Sequence, residues 1–200
     1  MGPTCVATSA ANAASSGLRA EGWGFRAILR AMSRPGTVTS LPEVQAADSS
    51  LPPAIASVAR CLFDLETPVW LDAAFDTEDV RRYLKLHSGA PLVIDPGRAT
   101  FAVIGAPDDL PPLEAFRSGE LEYPDRSTTL VVHVPSLTGG PAIDLAGPGI
   151  ASRVTFNPDG LPSWFWAAWD ANTGRFPLGV DILLTDGHRL VGLPRTTKRI

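Results

Sequence analysis

The chain has 200 residues with 17 basic and 21 acidic side chains, a net charge of -4, 44% hydrophobic residues and 19% charged ones. That length fits one domain, and the apolar fraction is enough for a globular core, which excludes a disordered chain. The acidic balance shows no global basic footprint for nucleic acid, and no run of 18 or more apolar residues is present to span a membrane. Of the 17 basic residues only Lys85 and Lys198 are lysines, so any chemistry that needs a lysine has two candidates.

In chain order, residues 1–20 read as a loose Ala/Ser-rich leader without the basic start of a signal peptide. A single α/β domain is expected over 21–200. From Gly22, Phe25, Ile28, Leu29 and Met32 recur at helical spacing, with Arg26, Arg30 and Arg34 along another face. Pro35-Gly36 should end this helix, and Thr37 to Leu41 should form a short strand. A second helix is expected near Pro52-Pro53, capped by Ser50, with Ile55, Val58, Ala59 and Leu62 as its stripe. Thr67 to Leu71 reads as a buried strand. Asp76 to Glu78 should open a third helix through Tyr83, Leu84 and His87, closed by Gly89.

Pro91 to Ile94 and Thr100 to Ile104 read as strands, and Pro111 to Arg117 as a short helix closed by Gly119. Ser127 to Val134 is the clearest strand, and Ile143 to Leu145 should pair nearby. Pro162 to Trp169 reads as a Trp-dense helix ending before Gly174. Val180 to Thr185 and Arg189 to Leu193 flank Asp186-Gly187, a hairpin signal. Helices alternating with buried strands, plus this hairpin, suggest an α/β fold with a mixed sheet, with α+β as the alternative.

Familiar catalytic patterns are absent. The sequence holds no GxxxxGK[ST] phosphate loop, no G-x-S-x-G elbow and no H-E-x-x-H. Cys5 and Cys61 are far apart, and His87, His133 and His188 lack ligand spacing, so neither a disulfide framework nor a metal site is expected. The compartment expected from this cysteine usage is the cytoplasm. His133 is expected to pack on one face of its strand, and His188 to be exposed beside the hairpin turn. His87 can cap the end of its helix or take part in a site. The cluster Trp164, Phe165, Trp166 and Trp169 suits a core or an interface better than a base-stacking platform. The turns Thr138-Gly139-Gly140-Pro141 and Gly147-Pro148-Gly149 should bracket a short strand.

Arg26 and Arg34 are candidate anion or partner contacts, because a guanidinium fork matches a pair of anionic oxygens. In Pro194-Arg195-Thr196-Thr197, Arg195 with the two hydroxyls of Thr196 and Thr197 either binds phosphate or anchors the tail.

Several segments together resemble one family. They are Phe25-Arg26 through Met32-Ser33-Arg34-Pro35-Gly36, Thr67-Pro68-Val69-Trp70-Leu71, His87-Ser88-Gly89-Ala90-Pro91-Leu92-Val93 and Ala99-Thr100-Phe101-Ala102-Val103. Gly139-Gly140 and Gly147-Pro148-Gly149-Ile150 follow. The most specific pair is Phe176-Pro177-Leu178-Gly179-Val180-Asp181-Ile182-Leu183-Leu184-Thr185 with Leu193-Pro194-Arg195-Thr196-Thr197. In this order, over about residues 22–198, the chain resembles the PhnH family of the bacterial carbon–phosphorus lyase system. The resemblance implies a three-layer α/β/α fold like that of pyridoxal-phosphate-dependent transferases, without the cofactor. It also implies a homodimer in isolation and a place in a core complex with the G, I and J subunits. Those subunits, with an ATP-binding-cassette-like L subunit, displace adenine from ATP by an alkylphosphonate to give α-D-ribose 1-methylphosphonate 5-triphosphate. The family implies an accessory role in this step, not catalysis by the chain alone; a purely structural scaffold is the alternative. The residues agree with a missing cofactor, since neither Lys85, within a helix, nor Lys198, in the tail, occupies a strand-end loop where a Schiff base would be held.

Overall fold

The computed structural model describes residues 21–41 and 50–200; the expected leader over 1–20 lies outside them. The helices are α1 (residues 21–33), α2 (Pro53–Leu62), α3 (Glu78–His87) and α4 (Phe165–Gly174). The strands are β1 (Thr39–Ser40), β2 (Val69–Leu71), β3 (Phe101–Ile104), β4 (Thr129–His133), β5 (Ile143–Ala146), β6 (Val154–Phe156), β7 (Asp181–Asp186), β8 (Arg189–Leu193) and β9 (Lys198–Arg199). One sheet has the order β1-β8-β7-β4-β3-β2 and a second the order β6-β5-β9. In the large sheet β2, β3, β4 and β7 run parallel, while β8 and β1 close one edge in antiparallel register. The fold is therefore α/β with a mixed sheet.

The central strands are buried on both faces, as a parallel sheet covered on both sides must be. Their residues alternate between two cores. Val103, Val131 and Leu183 pack with α1, α2 and α3. Ala102, Ile104, Leu130, Val132, Ile182 and Leu184 pack with Phe165 and Trp169 of α4 and with Leu145 and Phe156 of the small sheet. Because side chains repeat every two residues, one strand feeds both layers.

Several local expectations need correction. On α1 the core face is Ile28 with Ala31, whereas Phe25 and Leu29 are 44% and 53% exposed. An apolar stripe wider than the surface it meets leaves part of itself in solvent. Ser50 does not cap α2. Its N-cap is Pro52, without a side-chain cap, and the Ala54 N–H donates instead to Gly187 O in the β7–β8 turn at 2.9 Å. The tertiary contact supplies what the local cap was expected to supply. Pro91 to Ile94 is no strand: Leu92 makes a single bridge to Val69, and Ile94 is almost fully exposed. Pro111 to Arg117 holds only the 3-10 turn Leu113–Ala115, since the prolines at 111 and 112 remove two N–H donors. The helix expected at Pro162 begins at Phe165 and runs on to Gly174. Strands β6 and β9 were not expected.

At the carboxyl end of the parallel strands, Asp72 follows β2 and is 3% exposed. Its carboxylate accepts N–H groups from Phe75 at 3.0 Å, Gly105 at 2.7 Å and Ala106 at 3.0 Å, so it joins the ends of β2 and β3. Asp72→Asn turns one acceptor into a donor facing buried N–H groups. We expect a loss of about 2 kcal/mol in urea unfolding; an unchanged midpoint would mean that these donors find other partners.

Candidate functional site

The sequence candidates fall into separate places. Arg26 and Arg30 project from α1 into a surface groove of about 350 Å³, whose other walls are Trp23, Ala27, Thr39, Ser40 and Leu41. Neither guanidinium has an acidic partner among the described residues. Arg34 lies in the turn after α1, exposed and equally unpartnered among the described residues. His87 ends α3, exposed, with its ring against Tyr83 at a centroid distance of 4.4 Å. Pro194 to Thr197 follow β8, and Arg195 and Thr196 line a different groove from that of Arg26 and Arg30. The structure thus does not bring Arg26, Arg34, His87 and Arg195 into a common pocket.

Arg195 is turned inward. Its Nε donates to Asp181 Oδ1 at 3.1 Å, and its Nη1 to Pro124 O at 3.0 Å and Pro177 O at 3.3 Å. Its Nη2 donates to Ser127 Oγ and Asp181 Oδ2. A guanidinium has five N–H donors, and all five are used here. The Arg195 backbone N–H adds a bond to Asp181 Oδ1 at 2.8 Å. This places Arg195 in the role of tail anchor. Thr197 is fully buried; its carbonyl accepts the Trp169 indole N–H at 2.9 Å. Thr196 and part of Arg195 line a groove of about 630 Å³ with Pro148, Asp170, Thr173, Gly174, Phe176 and Lys198. Asp181, which determines how Arg195 is used, was not singled out in the sequence; the only signal was its place at the start of a strand in the longest family-like segment.

The other titratable groups are not assembled for bond making. Among the described residues no group of three or more His, Cys, Asp or Glu is arranged to hold a metal ion. Burial raises the Cys61 thiol to about 11, aided by the Glu21 charge, so it is not a thiolate at neutral pH. Lys85 is exposed on α3 and Lys198 exposed on β9. The glycine turns around β5 serve close packing: a side chain at Gly149 would strike the Ser33 carbonyl, and one at Gly140 the Pro158 carbonyl. Of the Trp cluster, Phe165 and Trp169 are wholly buried. No helix among the described residues is long and apolar enough to cross a membrane.

His133 closes β4 with a buried Nδ1 that lacks a partner among the described residues. Burial lowers its pKa below the ordinary value of 6.5, against the opposing pull of Asp186. The folded state thus holds fewer protons than the unfolded state over the window from about 6.5 downward. This contribution to stability is complete above that value and is lost as pH falls toward the folded pKa. His133→Gln is expected to flatten the decline of the melting temperature between about pH 7 and 5; an unchanged slope would place the titrating group elsewhere.

Fold and site define an α/β protein with a mixed sheet, whose inward-facing arginine is structural and whose unpartnered cations lie on the surface. The chain belongs to the bacterial phosphonate metabolism protein family, PhnH, whose family model matches residues 16–199. It is 38% identical over 174 residues to "Alpha-D-ribose 1-methylphosphonate 5-triphosphate synthase subunit PhnH" of Rhizobium meliloti (strain 1021), covering 87% of each chain. It is 32% identical over 174 residues to "Putative C-P lyase subunit protein HtxG" of Stutzerimonas stutzeri, covering 86% of this chain and 82% of that one.

Proposed function

We propose that this chain is an accessory subunit of the carbon–phosphorus lyase core complex, supporting ATP-dependent formation of α-D-ribose 1-methylphosphonate 5-triphosphate with adenine release. The observation that carries this reading is the family match along nearly the whole chain, together with a relative of equal span named as a subunit of that synthase. The geometry supports an accessory role, because the candidate groups stand apart and the most enclosed charged one, Arg195, is fully engaged by its own chain. In this reading the chain is cytoplasmic, a homodimer in isolation, and joins the G, I and J subunits. Its fold is that of pyridoxal-phosphate-dependent transferases with the cofactor function lost; the exposed positions of Lys85 and Lys198 support this.

Within the complex, Arg26, Arg34, His87 and Thr196 are the anion or partner contacts, with Arg195 and Thr197 holding the segment that presents Thr196. Arg34→Ala is expected to slow growth on methylphosphonate severalfold with an unchanged melting temperature; normal growth would remove the anion contact. The reading as a whole is tested by reconstituting the complex with and without this chain and following adenine release. Undiminished release in its absence would refute it. A pure scaffold is favoured by the exposed Trp23, Phe25 and Leu29 of α1, and it predicts that adenine release survives every substitution that leaves co-purification intact.

A further inference from the structure

The groove beside α1 has features that the accessory role does not by itself require. β1 is the last strand of the six-stranded sheet, and no described residue pairs with its outer side. Thr39 lies opposite Leu190, and the Leu41 N–H donates to His188 O at 2.8 Å. In an antiparallel ladder alternate residues bond to the same neighbour. Positions 39 and 41 therefore face β8, and Ser40 directs its N–H and C=O groups outward.

The open edge of β1, two residues long, offers another strand the main-chain groups of Ser40. Here it runs along the groove that carries Trp23, Arg26 and Arg30. Those three residues and Ala27 follow helical spacing on one face of α1, distinct from the core face of Ile28 and Ala31. Trp23 is 66% exposed. The one acid of α1 within the described residues, Glu21, is committed to Arg60 at 2.8 Å, so the two groove arginines meet no negative charge among the described residues. In a protein of net charge -4 this is a local reversal of sign.

We propose that this groove receives an extended acidic segment of a partner polypeptide, added as an antiparallel or parallel strand to the open side of β1. Its backbone pairs with Ser40. Its alternate side chains place carboxylates on Arg26 and Arg30 and an apolar group against Trp23. Strand addition draws affinity from main-chain bonds and selectivity from alternate side-chain pockets, and both halves of that device are present here. Charge complementarity selects an acidic strand over a neutral one. The inference rests on the proposed place of the chain in a multi-subunit complex and names how one partner is held.

The test uses the full chain with benzoylphenylalanine in place of Trp23, produced in cells growing on methylphosphonate. After irradiation the cross-linked peptides are sequenced. The expected product joins position 23 to a segment of a different polypeptide that carries two or more Asp or Glu residues at alternate positions. Arg26→Glu with Arg30→Glu should lower its yield at least tenfold at unchanged melting temperature. Ser40→Pro removes an outward N–H, a position where proline is tolerated in an edge strand, and should lower the yield equally. Cross-links confined to residues 42–49 of the same chain, to a second copy, or to no protein overturn the proposal. So does a yield indifferent to the charge reversal or to Ser40→Pro. If adenine release still depends on this chain while the cross-link fails, the docking site falls and the accessory role stands; if the dependence is absent, the accessory role falls whatever the cross-link shows.

Discussion

Arg195→Ala is expected to cost about 3–5 kcal/mol, the range for removing one partner of a buried pair. The side chains of Arg195 and Asp181 are 11% and 18% exposed, so little solvent replaces what is removed. The substitution leaves the Asp181 carboxylate, the Ser127 hydroxyl and the carbonyls of Pro124 and Pro177 without their shared donor. These groups come from the turn before β4, the loop before β7 and the first residue of β7, and Arg195 ties them to the tail after β8. The melting temperature should fall by roughly 6–20 °C for a chain of this size. Arg195→Lys should recover only part of the loss, since one ammonium cannot reach four acceptors in a planar fork. Asp181→Asn should be destabilising alone and strongly non-additive with Arg195→Ala. A melting temperature that stays put in Arg195→Ala would show the guanidinium to be directed at solvent, and free to bind an anion.

Trp169→Ala is the second large effect, also about 3–5 kcal/mol, the typical range for emptying a buried aromatic site. Trp169 is among the largest fully buried side chains and lies in the core between the sheet and α4. Its indole N–H reaches the Thr197 carbonyl, just before β9 pairs with β5. Trp169→Phe keeps most of the apolar volume and loses the hydrogen bond. Urea unfolding should rank the variants wild type, Phe, Ala, and amide exchange at Lys198 and Arg199 should speed up in both. Unchanged exchange in Trp169→Phe would mean that β9 is held by its strand pairing alone.

Both predictions concern the C-terminal segment, and they show where the sequence was readable. Local chemistry that a segment settles for itself could be recognised. The acidic stretch Asp76 to Glu78 opens α3, Gly89 follows the helix in a left-handed conformation, and Asp186 and Gly187 enter the β7–β8 turn. The alternating β-branched run of β4 announces a strand because its own residues fill both cores. What failed was what depends on distant chain. The start of α2 is completed by Gly187 O rather than by Ser50, and β9 exists because β5 offers it an edge.

The candidate site divides in the same way. That Arg26 and Arg34 are exposed follows from helical spacing. That Arg195 is spent on Asp181 does not follow from the sequence around either residue, because 14 positions separate them. A Pro-Arg-Thr-Thr segment offers the same donors to a phosphate and to a carboxylate of its own chain; only the path of β7 and β8 decides between them. The groove by β1 was legible in halves, as arginines on a helix and as a short strand, with nothing in the sequence to say that they share one wall.

The order of strands in the large sheet has a consequence for synthesis. β2, β3, β4 and β7 join side by side in the order in which they are made, but β1, made before all of them, has β8 as its one partner among the described residues. The first amide of α2 likewise waits for the carbonyl of Gly187. A nascent chain that has reached residue 180 therefore has no β8 for β1 to pair with and no turn to complete α2. β1 and the start of α2 are thus secured by the last 20 residues, so an early stop near the carboxyl end leaves both without their partners.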